Sequence, residues 1–202
     1  MQHLDFFYDL SSPWTYLAFN NVQQVLEDTG ATVRWKPFLV GGVFNAVNPG
    51  VYEARAHPMN PKVMHNFTWL HEWARLAGLP LNFPTEHHPV RSVLAMRVCC
   101  ALEADQPALQ RFSHAAFNVY FADGENIDAP DVLTKVADQC GLDGQALVAK
   151  TAEQHIKDQL RANTEEAIKR GAYGSPTMFV GNALYFGNDQ LPLIKQALTT
   201  DT

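Results

Sequence analysis

The spacing of apolar positions changes several times along the chain and divides it into segments. Leu4-Asp5-Phe6-Phe7-Tyr8 is nearly all apolar, ends at Asp9, and predicts a central strand buried on both faces. Helical spacing follows from Pro13 to Asp28. Tyr16, Leu17, Val22, Val25 and Leu26 are available for an inner face, and Gly30 supplies the stop. From Thr32 to Pro37, Val33 and Trp35 alternate with Arg34 and Lys36, which predicts a second strand. A strand-helix-strand unit implies parallel strands joined by a right-handed crossover.

Between Leu39 and Pro61 the pattern breaks. Gly41-Gly42, Asn45, Asn48-Pro49-Gly50, Pro58 and Asn60-Pro61 predict a long connecting loop, 39–63, or short helical turns. Val43, Phe44, Val47 and Val51 argue that this stretch is ordered. Helical periodicity returns from Met64 to Arg170. Phe67, Leu70 and Leu76, with Trp69 and Trp73, are expected to form one broad apolar stripe, ended at Gly78-Leu79-Pro80 and Phe83-Pro84. Further helices are predicted over Ser92–Ala104, Pro107–Ala122, Ala129–Cys140 and Thr151–Arg170, with a short one from Asp143 to Lys150. Strand character reappears at Thr177–Val180 and Ala183–Phe186 across a Gly181-Asn182 turn, before a closing helix that runs through Leu198. The expected fold class is α/β: a thioredoxin-like βαβ…ββα sheet split by a large all-helical insertion. Residues 1–38 and 171–202 form the sheet domain in this reading, and 39–170 the insertion.

Composition narrows the chemistry. The 202 residues are 47% hydrophobic and 18% charged, the profile of a globular protein with a sizeable core. A formal charge of −6 without a basic stripe argues against a general binder of nucleic acid or anionic membrane. No apolar run approaches the roughly 20 residues of a membrane span. Met1-Gln2-His3-Leu4-Asp5 lacks the pattern of a signal peptide, so a cytoplasmic location is expected. Cys99, Cys100 and Cys140 form neither a disulfide framework nor a Cys-x-x-Cys pair, and the histidines, His87-His88 among them, show no metal-ligand spacing.

The most informative stretch is Asp9-Leu10-Ser11-Ser12-Pro13-Trp14-Thr15-Tyr16. Pro13 suits a first helical turn, which places Ser12 at a helix N-terminus where partial positive charge favours an anion. Capping by Ser11 or Ser12 alone is the simpler reading of the same residues. Ser175-Pro176, Gly187-Asn188-Asp189 and the loop around Asn48 are expected at the same sheet edge. A proline entering a strand there can be cis. It leaves the Ser175 backbone available to an extended peptide, while Asp189 can bind an ammonium and Asn188 a carboxylate.

On Phe7-Tyr8-Asp9-Leu10-Ser11-Ser12-Pro13-Trp14-Thr15-Tyr16-Leu17, Ser92-Val93-Leu94-Ala95-Met96-Arg97, Tyr173-Gly174-Ser175-Pro176-Thr177-Met178-Phe179 and Phe186-Gly187-Asn188-Asp189, the chain resembles the 2-hydroxychromene-2-carboxylate isomerase and kappa-class glutathione transferase family. The resemblance implies a glutathione-dependent isomerase of aromatic catabolism, forming a homodimer, in which Ser12 replaces the first cysteine of a thiol–disulfide motif and Thr15 the second. It implies that Ser12 stabilises the glutathione thiolate without attacking substrate. Glutathione contacts would come from Ser12, Asn48, Lys62, Ser175, Phe186, Gly187, Asn188 and Asp189. Phe44, Asn45 and His87 would face the substrate. In relatives a lysine follows the Gly-Gly-Val-Phe stretch and a tyrosine follows the Phe-Pro pair; here Asn45, and Glu86 or His87, stand in those places. The alternatives carried forward are a glutathione transferase or peroxidase, and a non-catalytic thioredoxin-fold protein that binds glutathione.

Overall fold

The computed structural model describes residues 2–57 and 59–200. Its four-stranded sheet has the order β2-β1-β3-β4, with β1 at His3–Tyr8, β2 at Thr32–Pro37, β3 at Thr177–Val180 and β4 at Ala183–Phe186. β1 and β2 are parallel, in register from His3 opposite Thr32 to Tyr8 opposite Pro37. β3 returns antiparallel to β1, and β4 antiparallel to β3. A helical block from Val40 to Lys169 separates the two halves of the sheet in sequence.

α1 (Pro13–Thr29) links β1 to β2, with Pro13 in its first turn and Gly30, at φ 63°, closing its last turn onto the Leu26 carbonyl. Successive residues of β1 feed two cores. Leu4, Phe6 and Tyr8 point into the larger one, where Phe19 and Trp35 lie with ring centroids 4.3 Å apart and Phe117 packs alongside. Phe7 points the other way, against Phe38 and Phe179, in a second cluster that includes Val40, Val43, Ala167 and Ala172.

The stretch read as a connecting loop is helical: α2 spans Val40–Val47, α3 spans Gly50–Ala56, and α4 begins at Pro61 and ends at Leu76. Val40 and Val43 bury one face of α2 against Phe7 and α9 (Gln154–Lys169), and this burial outweighs the helix-weakening Gly41-Gly42 pair. The short-helical-turn alternative therefore describes the segment, and the connecting loop over 39–63 is corrected. Pro58 lies outside the described residues, as do residues 1, 201 and 202 of the expected sheet domain.

The stripe predicted on α4 is also corrected. Leu70 is buried, and Phe67 and Trp73 pack against the core, whereas Trp69 and Leu76 are 53% and 73% exposed. Trp69 instead packs its ring, tilted, against His65 one turn earlier. α5 (Val93–Ala101), α6 (Gln106–Phe121), α7 (Pro130–Gln139), α8 (Gly144–Lys150) and α9 follow the predicted order with ends shifted by a few residues. A 3₁₀ turn, Asn188–Gln190, leads into α10 (Leu191–Thr199), which packs on α1 and β3. Cys99 and Cys100 are buried core residues, and burial pushes the Cys99 thiol up to about 12.

Candidate active site

Where β1 ends, the chain turns through Asp9 to Ser12 into α1. Ser12 is the N-cap residue, and its Oγ accepts from the Thr15 amide at 3.2 Å. The same hydroxyl donates to the Ser175 carbonyl at 2.9 Å. Ser12 Oγ thus caps α1 and donates its own proton to the loop that precedes β3. Ser11 does not cap; its Oγ and its amide both donate to Asp9 Oδ1 at 2.9 Å.

Ser175 is fixed from three sides. Its Oγ accepts from the Asp9 amide at 3.0 Å and lies 2.7 Å from Thr15 Oγ1, while its carbonyl holds the Ser12 hydroxyl. The Ser175–Pro176 bond is cis. Thr15 is fully buried and occupies this contact without any thiol chemistry.

Asp9 joins the surrounding elements. Its carboxylate is fully buried, and beyond Ser11 it accepts the Val40 amide at 2.8 Å, at the first residue of α2. α2 has no cap from its own N-cap residue Leu39, so Asp9 supplies that acceptor from across the fold. Burial pushes the Asp9 carboxyl above the usual carboxylate range, opposed by the donors at Ser11, Val40 and Ser92. The sequence showed the signal, a charged residue closing an apolar strand, but not its partner on α2.

Across the cleft, Phe186 lies against Tyr173 with ring centroids 4.4 Å apart. A Cβ at Gly174 would stand 2.7 Å from this ring, so only glycine lets Phe186 close over that backbone. Gly187 adopts φ 98°, and a Cβ there would stand 2.8 Å from Asp189 Oδ1. The Asp189 residue is exposed. The buried Asn188 side chain accepts through Oδ1 from Asn21 on α1 at 2.9 Å, pinning the turn to that helix. Asn48 ends α2, and its amide donates to the Tyr173 carbonyl at 3.0 Å, two residues before Ser175.

The remaining expected residues are more loosely placed. Lys62 is exposed in the first turn of α4, and its ammonium has no ion-pair partner among the described residues. Phe44 packs against the second core cluster and the Tyr52 ring, and exposed Asn45 accepts from the Tyr52 hydroxyl at 2.8 Å. His87 pairs with Glu86 at 3.3 Å on the segment between α4 and α5. The hydrogen bonds thus bring Ser12, Ser175, Asn48 and the Tyr173–Phe186 pair together, with Asp9 and Thr15 behind them; they do not extend to Lys62 or His87. Tyr173, Gly174 and Asp9 lie within the motifs quoted from the sequence, which assign no role to them.

What this cleft holds chemically is a hydroxyl donor at the positive end of a helix, a fixed carbonyl acceptor opposite it, an aromatic wall, and an exposed carboxylate at a tight turn. Such a set suits a thiol on an extended peptide with a free amino group.

Comparison with known proteins agrees with the fold. A 2-hydroxychromene-2-carboxylate isomerase of Pseudomonas putida is 27% identical over 195 residues, covering 96% of this chain and 93% of its own. Glutathione S-transferase kappa 2 of Caenorhabditis elegans is 26% identical, covering 96% and 90%. A solved structure of 2-hydroxychromene-2-carboxylate isomerase superposes with a TM-score of 0.83 at 25% identity, covering 97% of this chain and 94% of that one. These relatives are enzymes. Residues 3–199 match the DSBA-like thioredoxin domain, and the chain belongs to that family.

Proposed function

We propose that this protein is a glutathione-dependent isomerase of the 2-hydroxychromene-2-carboxylate isomerase kind. The observation that carries the reading is the Ser12 hydroxyl, poised at the N-terminus of α1 and aimed at the Ser175 carbonyl 2.9 Å away. Bound glutathione supplies a thiol that serves as nucleophile and then as leaving group toward an unsaturated acid. The residues of the chain do the rest. The α1 N-terminus and the Ser12 hydroxyl favour sulfur in its anionic form. The thiol proton goes to water, since among the described residues no side-chain base is hydrogen-bonded to the Ser12 hydroxyl. Ser175 and Asn48 fix the backbone edge on which the peptide lies, and the Asn188 and Asp189 backbone with the Asp189 carboxylate receives its amino-acid end.

In this reading residues 1–38 and 171–202 hold the thiol, and 39–170 present Phe44, Asn45 and His87 to an aromatic, unsaturated acid substrate. Lys62 enters only as an exposed cation in the first turn of α4. A homodimer in the cytoplasm, working in aromatic catabolism, completes the proposal. No helix among the described residues is long and apolar enough to cross a membrane.

The replacement of the relatives' lysine by Asn45 favours one second reading, a kappa-class transferase or peroxidase with a different electrophile. Product analysis separates the two: an isomerised acid with glutathione regenerated supports the first, and a stable conjugate the second. Glutathione binding without turnover on any unsaturated aromatic acid would instead support a non-catalytic binding protein. The test of the shared core is Ser12→Ala. Loss of about a hundredfold in kcat/KM is expected, the usual cost of deleting one donor to a developing anion. Activity within threefold of the parent would overturn it.

A further inference from the structure

The Ser12 hydroxyl has one proton, and in this structure that proton is already used. It is donated to the Ser175 carbonyl at 2.9 Å, while the Oγ lone pairs face the Thr15 amide. To donate to sulfur, the hydroxyl must leave that carbonyl. Ser175 cannot follow it, because Asp9 N and Thr15 Oγ1 hold the Ser175 side chain from behind and the residue is only 7% exposed. A carbonyl abandoned in such a place loses a hydrogen bond that water replaces poorly.

Resting on the glutathione reading above, we propose that Ser12 is released toward sulfur only by a thiol that carries its own N–H to take over the Ser175 carbonyl. The site is thereby selective for the class of N-acyl-cysteinyl peptides, and simple thiols are bound without being ionised. Ser12 is then a switched donor: its proton moves from carbonyl to sulfur when the ligand's amide arrives. The thiol proton itself passes to water, and no bond to carbon is made or broken in this step. The selectivity lies in the ionisation of the bound thiol, separate from its affinity.

The test compares the apparent pKa of the bound thiol, read from ultraviolet thiolate absorbance at saturating ligand. Glutathione is set against its ester analogue, in which oxygen replaces the cysteinyl N–H. N-acetylcysteine against 3-mercaptopropionate repeats the comparison with smaller ligands. Each pair is corrected for the thiol pKa in free solution. In the parent protein the ligand with the N–H is expected to be held as thiolate about tenfold more strongly, which is one pKa unit. In Ser12→Ala that difference is expected to vanish, because no proton has to be moved off Ser175. Equal depression for both members of both pairs in the parent protein would overturn the proposal, as would a difference that persists in Ser12→Ala. Failure of glutathione itself to be held as thiolate would instead overturn the proposed function, so the two failures are distinguishable.

Discussion

Replacing Asp9 by asparagine tests how the two walls of the cleft are joined. The carboxylate receives four donors on two oxygens: the Ser11 amide and hydroxyl on Oδ1, the Val40 amide on Oδ2, and the Ser92 hydroxyl. Asparagine keeps the shape but has one acceptor oxygen and an NH₂ group that faces donors. If the NH₂ group faces α2, the buried Val40 N–H is orphaned, at about 1–3 kcal/mol. If it faces Ser11, the hydroxyl can rotate but the Ser11 amide cannot, and that amide is only part-buried. The second arrangement is the cheaper one, so the expected loss is about 1–2 kcal/mol at neutral pH. For a chain of this size that is a fall of about 2–8 °C in Tm. The pH dependence has a definite sign. The folded-state pKa of Asp9 lies above its ordinary value of 3.8, so the folded state binds this proton more tightly than the unfolded state does. The Asp9 contribution to stability is therefore greatest below 3.8 and falls as pH rises through the raised pKa. Asparagine has no such titration, so the gap between parent and variant is expected to widen in acid. Urea unfolding of both proteins across the carboxylate range measures it. A gap that narrows in acid, or a variant as stable as the parent throughout, would refute the reasoning.

Gly174→Ala places a methyl 2.7 Å from the Phe186 ring and is expected to push that ring off Tyr173, weakening glutathione binding several-fold by calorimetry with about 1–3 kcal/mol lost in stability. Asp5 behaves oppositely to Asp9. Burial pushes its carboxyl up, but the hydrogen bond from Arg170, the charge of Arg34 and the contact with His3 outweigh this, and the net shift is below 3.8. Its stabilisation is present above 3.8 and lost as pH falls through the lowered pKa, so Asp5→Asn is expected to destabilise the protein at neutral pH and to converge with the parent in strong acid. Burial raises all three cysteine thiols, Cys99 to about 12, so a thiol reagent at mildly alkaline pH is expected to label half-buried Cys140 slowly and the buried pair only after unfolding.

Much of this architecture was legible because period and punctuation agree. The apolar run before Asp9, the Pro13 start, the Gly30 stop and the Gly181-Asn182 hairpin each have a local physical cause, and β1, α1, β3 and β4 lie where those causes put them. The stretch 39–61 misled because local propensity there is poor. α2 exists because Val40 and Val43 are buried by Phe7 and α9 and because Asp9, 31 residues away from Val40, accepts its leading amide. A sequence pattern carries no record of such long-range partners. The same holds at the site. Ser12 could be placed at a helix start from Pro13 alone, but its bond to Ser175 spans 163 residues. Asn188 shows the same limit: its carboxamide oxygen accepts from Asn21, a partner 167 residues away that no local pattern records. Trp69 and Leu76 fit a helical apolar stripe by type, and the fold turns them outward.

The central claim is that Ser12 and the α1 N-terminus hold a glutathione thiol as its anion. It is tested most directly by titrating the parent protein and Ser12→Ala with glutathione and following thiolate absorbance against pH. The parent is expected to lower the thiol pKa by at least one unit, and Ser12→Ala to return most of that shift while remaining folded, with about 1–3 kcal/mol lost with the cap and the donor to the Ser175 carbonyl. A bound thiol that titrates identically in the two proteins would contradict the account.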